Sequence, residues 1–157
     1  MTVRIGLPID RNLIARKLAE AELGLFAAPK YLAPRIMPQV PHDLLVHCCL
    51  RMSNRPWSLS GLSGAGQFAV LGPVIANNVG LLQRLALEGV GIAPLPIAFV
   101  ADDVASGRLL RVLPDWQLPK VEVYALTETR LIPAKVRVFI DFLATRLRSD
   151  AGIKGQS

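Results

Sequence analysis

Aromatic residues make up only 6% of this 157-residue chain, charged residues only 19%, and there are just two cysteines and two histidines. Each scarcity excludes something. Cys48 and Cys49 are adjacent and can form no disulfide framework, so a reduced, cytoplasmic setting fits them best. Any histidine-based acid–base mechanism would have to use His42 or His47. The longest apolar stretch, Val90 to Ala101, carries Pro94 and Pro96 and falls short of the roughly 18 to 20 residues of a membrane span. Arg4, Asp10 and Arg11 interrupt any signal-peptide core, so secretion by that route is not expected.

What is abundant is apolar. Hydrophobic residues make up 52% of the sequence and mean hydropathy is +0.39, which argues for a folded chain with disorder confined to its ends. A domain of this length can bury roughly 68–70% of its unfolded surface in one core. Lysine and arginine number 18 against 12 acidic residues, giving a formal charge of +6. That balance attracts anions without naming one.

Strand and helix signals alternate along the chain. VRIGLPI, Leu13 to Leu18 and Leu23 to Ala27 read as strands, the last ended by Pro29. KYLAPRI reads as a helical turn or two, and Pro41 with Asp43 suits a short helix leading into a strand. Gly61, Gly64 and Gly66 separate the arms of a hairpin. Asn77 and Asn78 open a helix with Val79, Leu81, Leu82, Leu85 and Ala86 as its buried stripe, and Gly89 provides a left-handed cap. VGIAPLP predicts a strand, about Pro96 to Ser106 a second helix ended by Gly107, and LLRVLPDW and VEVYALTET two more strands. A final helix starts at Pro133 with Val136, Phe139, Ile140, Leu143 and Leu147 on one face and Arg146 and Arg148 in its last turn. From about Ala151 a frayed, disordered tail is expected.

Few residues carry recognisable chemistry. The free N–H groups of Val79 and Gly80 behind Asn77 and Asn78 form a ready anion or carboxylate site, or else a simple capped helix start. Gly89-Val90-Gly91 follows a helix instead of opening one, which argues against nucleotide binding. Gly61-Leu62-Ser63-Gly64-Ala65 misses the last glycine of a nucleophile elbow and reads as a hairpin loop. His42, His47, Cys48 and Cys49 lack chelating geometry, so no metal is expected. The pairs Asp102–Asp103 and Glu20–Glu22 read as solvated surface. No helix-turn-helix, zinc finger or RNA motif accompanies the scattered basic residues, so DNA binding by this chain alone is not expected.

Several segments, in order, resemble the C-terminal part of the effector-binding domain of LysR-type transcriptional regulators: VRIG, LIARKL, FAAPKYLAPR, PHDLLVHCCL with Cys49 at a common family cysteine, NNVGLLQRLALEGVGIAPLP, VADDVASGRLLRVLPDW and VRVFIDFLATRL. The resemblance implies an α/β fold like that of type-2 periplasmic binding proteins, with two subdomains and a small effector in the cleft between them. On this reading residues 1–150 are a partial effector domain. The second subdomain covers about 10–120, elements of the first lie at about 1–8 and 121–150, and 151–157 form a tail. It implies effector-facing places at Gly6, Ala28, Pro29, Ser53, Asn77, Asn78 and Val79, with no catalytic residue, metal or cofactor.

The implied partner is a small-molecule effector, an anionic metabolite being favoured. DNA would be bound only through a winged helix-turn-helix outside this chain, and a membrane not at all. Ala28 stands where many relatives have Ser or Thr, which removes a hydroxyl donor. Thr127-Glu128 replaces a frequent Tyr-Pro, and Ile132 a usual Ser. A terminal helix face lacking part of its cover predicts self-association, hence a homo-oligomer. The rival readings are a periplasmic-type solute-binding protein and a small hydrolase using Ser63 or Cys49.

Overall fold

The computed structural model describes residues 2–6, 13–128 and 133–152. Its contacts divide the chain into two units, Met1–Glu22 with Lys120–Ser157, and Leu23–Pro119. The divide falls after Glu22 rather than near residue 10, because the strand before it belongs entirely to the first unit.

That first unit is a three-stranded antiparallel sheet in the order β1-β9-β2, with β1 at Thr2–Ile5, β2 at Ile14–Ala21 and β9 at Val121–Thr127. β9 pairs with both neighbours, and a bulge in β2 between Lys17 and Ala19 shifts its register. One helix, α4 (Ala134–Gly152), packs Ile140 and Ala144 against Leu18, Val123 and Ala125. Its first bonds run from the Val136 and Arg137 N–H groups to the Pro133 carbonyl, so Pro133 occupies the cap, where its missing N–H costs nothing.

The expected helix face is corrected here. Phe139 is 48% exposed, and Ala144 takes the place it was expected to fill. The helix also continues through Ala151 and Gly152, so Arg146 and Arg148 precede its last turn, while 153–157 lie outside the described residues.

The second unit is built on β3 (Leu23–Ala27), every residue of which is buried. A run apolar on both faces is what a central strand requires. β6 (Ala93–Pro96) and β7 (Leu110–Val112) flank it, both antiparallel to it. Beyond β6, parallel bridges from Cys49 to Ile92 and from Arg51 to Ile75 add two more extended segments. One face of this layer carries Leu25, Ala27 and Ile92 and meets Trp57 and Leu59 of a second sheet; Tyr31 of α1 (Pro29–Leu32) and Leu44 of the 3-10 helix Pro41–Val46 share that core. That sheet is β5-β4-β8: β4 (Trp57–Gly61), β5 (Gly64–Phe68) and β8 (Trp116–Gln117). The other face carries Phe26, Leu50, Ala93 and Leu95, covered by Leu82 and Ala86 of α2 (Val79–Leu87) and, near α3 (Ala101–Ala105), by Val100 and Leu109.

Three expectations shift in this unit. Leu81 is 47% exposed, so the buried stripe of α2 narrows to Leu82 and Ala86, with Val79 and Leu85 half-buried. α3 starts at Ala101, because β6 runs through Pro96 and a turn follows it. Asp103 is not solvated: it is 5% exposed, and its carboxylate accepts from Gln83 Nε2 at 2.6 Å and pairs with Arg108 at 2.7 Å. A buried carboxylate needs such partners, and these tie α2 to the chain around α3.

Candidate functional site

Register in the second unit fixes which predicted residues share an end of the sheet. Phe26 pairs with Ala93 and Leu23 with Pro96, while Cys49 bridges Ile92 and Arg51 bridges Ile75 in parallel. Ser53 and Asn77 each lie two residues beyond the Arg51–Ile75 bridge, past the end of the extended segments that faces Pro96 and Leu23, where the chain enters this unit. Ala28 counts level with Gly91 and Cys48 at the opposite end. Cys48 and Arg51, at the two ends of the extended segment, are three residues apart, about 10 Å at roughly 3.3 Å per strand residue. Register therefore puts Ser53 and Asn77 past one end of the Arg51–Ile75 bridge, and Ala28 and Pro29 past the opposite end of the sheet.

At that shared end the side chains are arranged by local chemistry. Asn78 is extended (φ −113°, ψ 113°) and its Oδ1 accepts from the Leu81 N–H at 2.9 Å, while its carbonyl accepts from Leu82 at 3.1 Å. The N–H groups of Val79 and Gly80 precede the first helical bond and stay without an intrahelical partner. A Cβ on Gly80 would lie 3.3 Å from Asn78 Oδ1, so glycine leaves room for the cap to fold over. Asn77 and Ser53 are exposed, and Ser53 Oγ accepts from Arg55 N–H at 3.3 Å. At the far end Ala28 is buried as the residue before α1, and Pro29 is that helix's first residue.

Gly6, in the first unit, has φ +87° and donates its N–H to the Glu122 carbonyl at 2.8 Å. Beside it Lys17 is clamped by Glu20 at 2.8 Å and by Glu122 at 2.5 Å, and Tyr124 donates its hydroxyl to Glu122. The hydrogen bond from Lys17, then that from Tyr124, holds the Glu122 carboxyl below its ordinary range, while the Glu122 and Glu20 bonds raise Lys17.

The candidates for catalysis are occupied elsewhere. His47 Nε2 lies 3.1 Å from the Ile36 carbonyl, which can only accept, so that nitrogen carries the proton. Nδ1 then accepts from Tyr31 OH at 3.1 Å, and the same hydroxyl oxygen accepts from the Cys48 N–H at 2.9 Å. The ring is a structural link between α1 and the strand segment that starts at Cys48. Burial, reinforced by neighbouring Cys48, pushes the Cys49 thiol up to about 12, far from a nucleophilic thiolate. Ser63 sits in the exposed hairpin turn with no base bonded to it among the described residues.

A concavity of about 430 Å³ lies on β5-β4-β8 and is lined by Ser58, Ser60, Gln67, Gln117, Leu118 and Pro119 among others, not by Ser53 or the start of α2. Arg51, half-buried at the Ile75 bridge, does not add to that end, because its terminal nitrogen donates to the Gly72 carbonyl at 3.0 Å, back toward Cys49.

A mixed α/β body with parallel segments ending at a capped helix start defines a binding domain of the type-2 periplasmic-binding-protein kind, as in LysR regulatory domains. The profile of the LysR substrate binding domain matches residues 1–148, and the chain belongs to that family. It is 37% identical over 153 residues to the HTH-type transcriptional regulator PtxR of Pseudomonas aeruginosa, covering 94% of this chain and 49% of that one. To DmlR of Escherichia coli it is 36% identical, covering 91% and 48%.

Among solved structures, CrgA of Neisseria meningitidis superimposes with TM-score 0.74 at 28% identity, over 92% of this chain and 51% of that one. The regulatory domain of AphB variant C227S from Vibrio vulnificus superimposes with TM-score 0.69 at 32% identity, over 91% and 75%. The chain thus spans about half the length of the curated relatives it matches. No helix among the described residues is long and apolar enough to cross a membrane.

Proposed function

We propose that this chain is the small-molecule-sensing part of a LysR-type transcriptional regulator. It takes an anionic metabolite at the Ser53–Val79 end of the second unit's sheet. The protein works in the cytoplasm as a homo-oligomer, without catalysis, and DNA contact belongs to a winged helix-turn-helix carried elsewhere in the polypeptide. Ala28 and Pro29 leave the site, since they stand at the other end of the sheet.

The observation that carries this reading is the convergence of two parallel segments, Cys48–Arg51 and Val74–Ala76, on the capped start of α2. In open α/β sheets, ligands bind beyond the carboxyl ends of the parallel strands, and unsatisfied N–H groups at a helix start favour negative charge.

Thermal denaturation with small carboxylates and with amine counterparts tests it. A ligand at about 100 times its Kd adds about 2.7 kcal/mol of stability, which shows as a raised Tm. Stabilisation by carboxylates is expected; stabilisation by amines with none by carboxylates would overturn the reading.

A further inference from the structure

Segment 36–46 of the second unit is held in one shape while much of its apolar surface stays in solvent. Pro38, Pro41 and Leu44 are its buried anchors. The buried His47 ring lies 3.1 Å from the Ile36 carbonyl, which brings the two ends of the segment together. Asp43 Oδ2 accepts from the Gln39 and Val40 N–H groups at 2.8 and 3.1 Å. Yet Ile36 and Val46 are each 88% exposed, and Met37, Val40 and Leu45 are exposed with them. The sheet of this unit already has a buried cluster on each face, so these side chains are not the rim of an open core.

The charge around them has one sign. Between Leu23 and Leu87 the sole acidic residue is Asp43, against Lys30, Arg35, Arg51, Arg55 and Arg84, and the Asp43 carboxylate is taken up by its own loop. Arg35, next to Ile36, is exposed; its guanidinium lies 4.2 Å from the Tyr31 ring centre and donates to the Tyr31 carbonyl at 2.7 Å. Those contacts fix the cation at the start of the segment, and no carboxylate lies within salt-bridge distance of it among the described residues.

Exposed aliphatic side chains on a fixed loop, with a cation at their edge, have the make-up of a protein-binding surface. Loop order already present is order that binding need not supply. A second copy would set the same cations against one another, whereas a partner with acidic residues around aliphatic anchors meets both features. Gln39 and His42, polar and exposed, interrupt the apolar set, which suits a hydrogen-bonding partner better than hydrocarbon.

We propose that segment 36–46 with Arg35 is a docking surface for an acidic protein segment carrying aliphatic anchors. Ile36 and Val46 are the apolar contacts and Arg35 is the charged rim. This surface is independent of the effector site.

Amide shift mapping of the whole chain tests it, with a short synthetic helical peptide that has leucine on one face and glutamate elsewhere. A peptide with lysine for glutamate, one with serine for leucine, and phosphatidylglycerol vesicles are the comparisons. The expected result is a saturable shift at Ile36, Leu45 and Val46 by the leucine–glutamate peptide, weakened by salt, with neither altered peptide nor the vesicles acting there. Ile36→Ser combined with Val46→Ser should weaken binding about tenfold, and Arg35→Gln roughly threefold. Both serines replace solvent-exposed side chains, so the double variant is expected to keep its fold.

No saturable shift at these residues overturns the proposal. So does equal binding of the lysine peptide, or vesicle binding through these residues without peptide binding. Shifts at Ile36 and Val46 that grow with protein concentration alone would place a second copy on the surface and overturn it too. Undiminished peptide binding in the double variant, with shifts at Val138, Phe139 and Phe142, would assign the peptide to α4 instead.

Discussion

The two units of this chain are built from the same materials to different degrees of completion. In the second, a sheet is covered on both faces, and two buried clusters meet on β3, with Leu25 and Ala27 in one and Phe26 in the other. In the first, the described residues form one smaller cluster of Leu18, Val123, Ala125, Ile140 and Ala144, with Ala19, Leu126 and Thr127 also buried, and α4 leaves Val138, Phe139 and Phe142 exposed at 68%, 48% and 54%. The comparison teaches that chain length alone does not give a core. In the second unit β3 feeds a large cluster on each face, whereas the first unit forms one cluster, between its sheet and α4.

The largest expected effect follows from that contrast. Leu82→Ala, at a fully buried α2 position against Phe26 and Leu95, should destabilise the second unit by about 3 kcal/mol. Ile140→Ala should destabilise the first by a similar amount. Urea unfolding followed by probes in each unit would show each substitution moving its own transition, and a single transition moved equally by both would show the units to be one cooperative body.

Next comes Asp103→Ala. It strands Gln83 and Arg108, and should cost about 2 kcal/mol. Asp103→Asn, which keeps an acceptor for Gln83, should cost less. Equal losses in the two variants would show that the tie to α2 contributes nothing. Asn78→Ala removes the α2 cap and should cost about 1 kcal/mol, detectable as lost amide exchange protection in the first turn of α2.

The smallest effect is electrostatic and lies in the first unit. Glu20 and Glu122 have lowered folded-state values through Lys17, so their contribution is present above the ordinary carboxylate value of 4.5 and is lost as pH falls through the lowered ones. Raised Lys17 gives the opposite sign: its contribution holds below 10.5 and is lost as pH rises through the elevated value. Lys17→Met should flatten the acid limb of the first unit's stability profile and remove its salt dependence, both read by circular dichroism. An unchanged acid limb would show that these exposed pairs do not matter. The apolar ridge of α4 predicts concentration-dependent association by light scattering, reduced in Phe142→Ser.

The sequence was most legible where one physical signal acted alone. β3 is an uninterrupted apolar run before Pro29; Asn78 caps α2 and Gly89 ends it at φ +77°. It was least legible where partners distant in sequence decide. Asp103 reads as surface until Gln83 and Arg108 are seen to enclose it, and Leu81 sits in an apolar stripe whose tertiary cover stops short of it. For the candidate site, the helix start could be read from Asn77 and Asn78. That Ala28 lies at the other end of the sheet follows only from the antiparallel direction of β3 beside β6.

Backbone amide shift mapping during addition of a carboxylate effector tests most directly where recognition happens. The account predicts saturable shifts at Ser53, Asn78, Val79 and Gly80 with Ala28, Lys30 and Gly91 silent. Shifts concentrated at Ala28, Lys30 and Gly91, with the start of α2 unmoved, would contradict it.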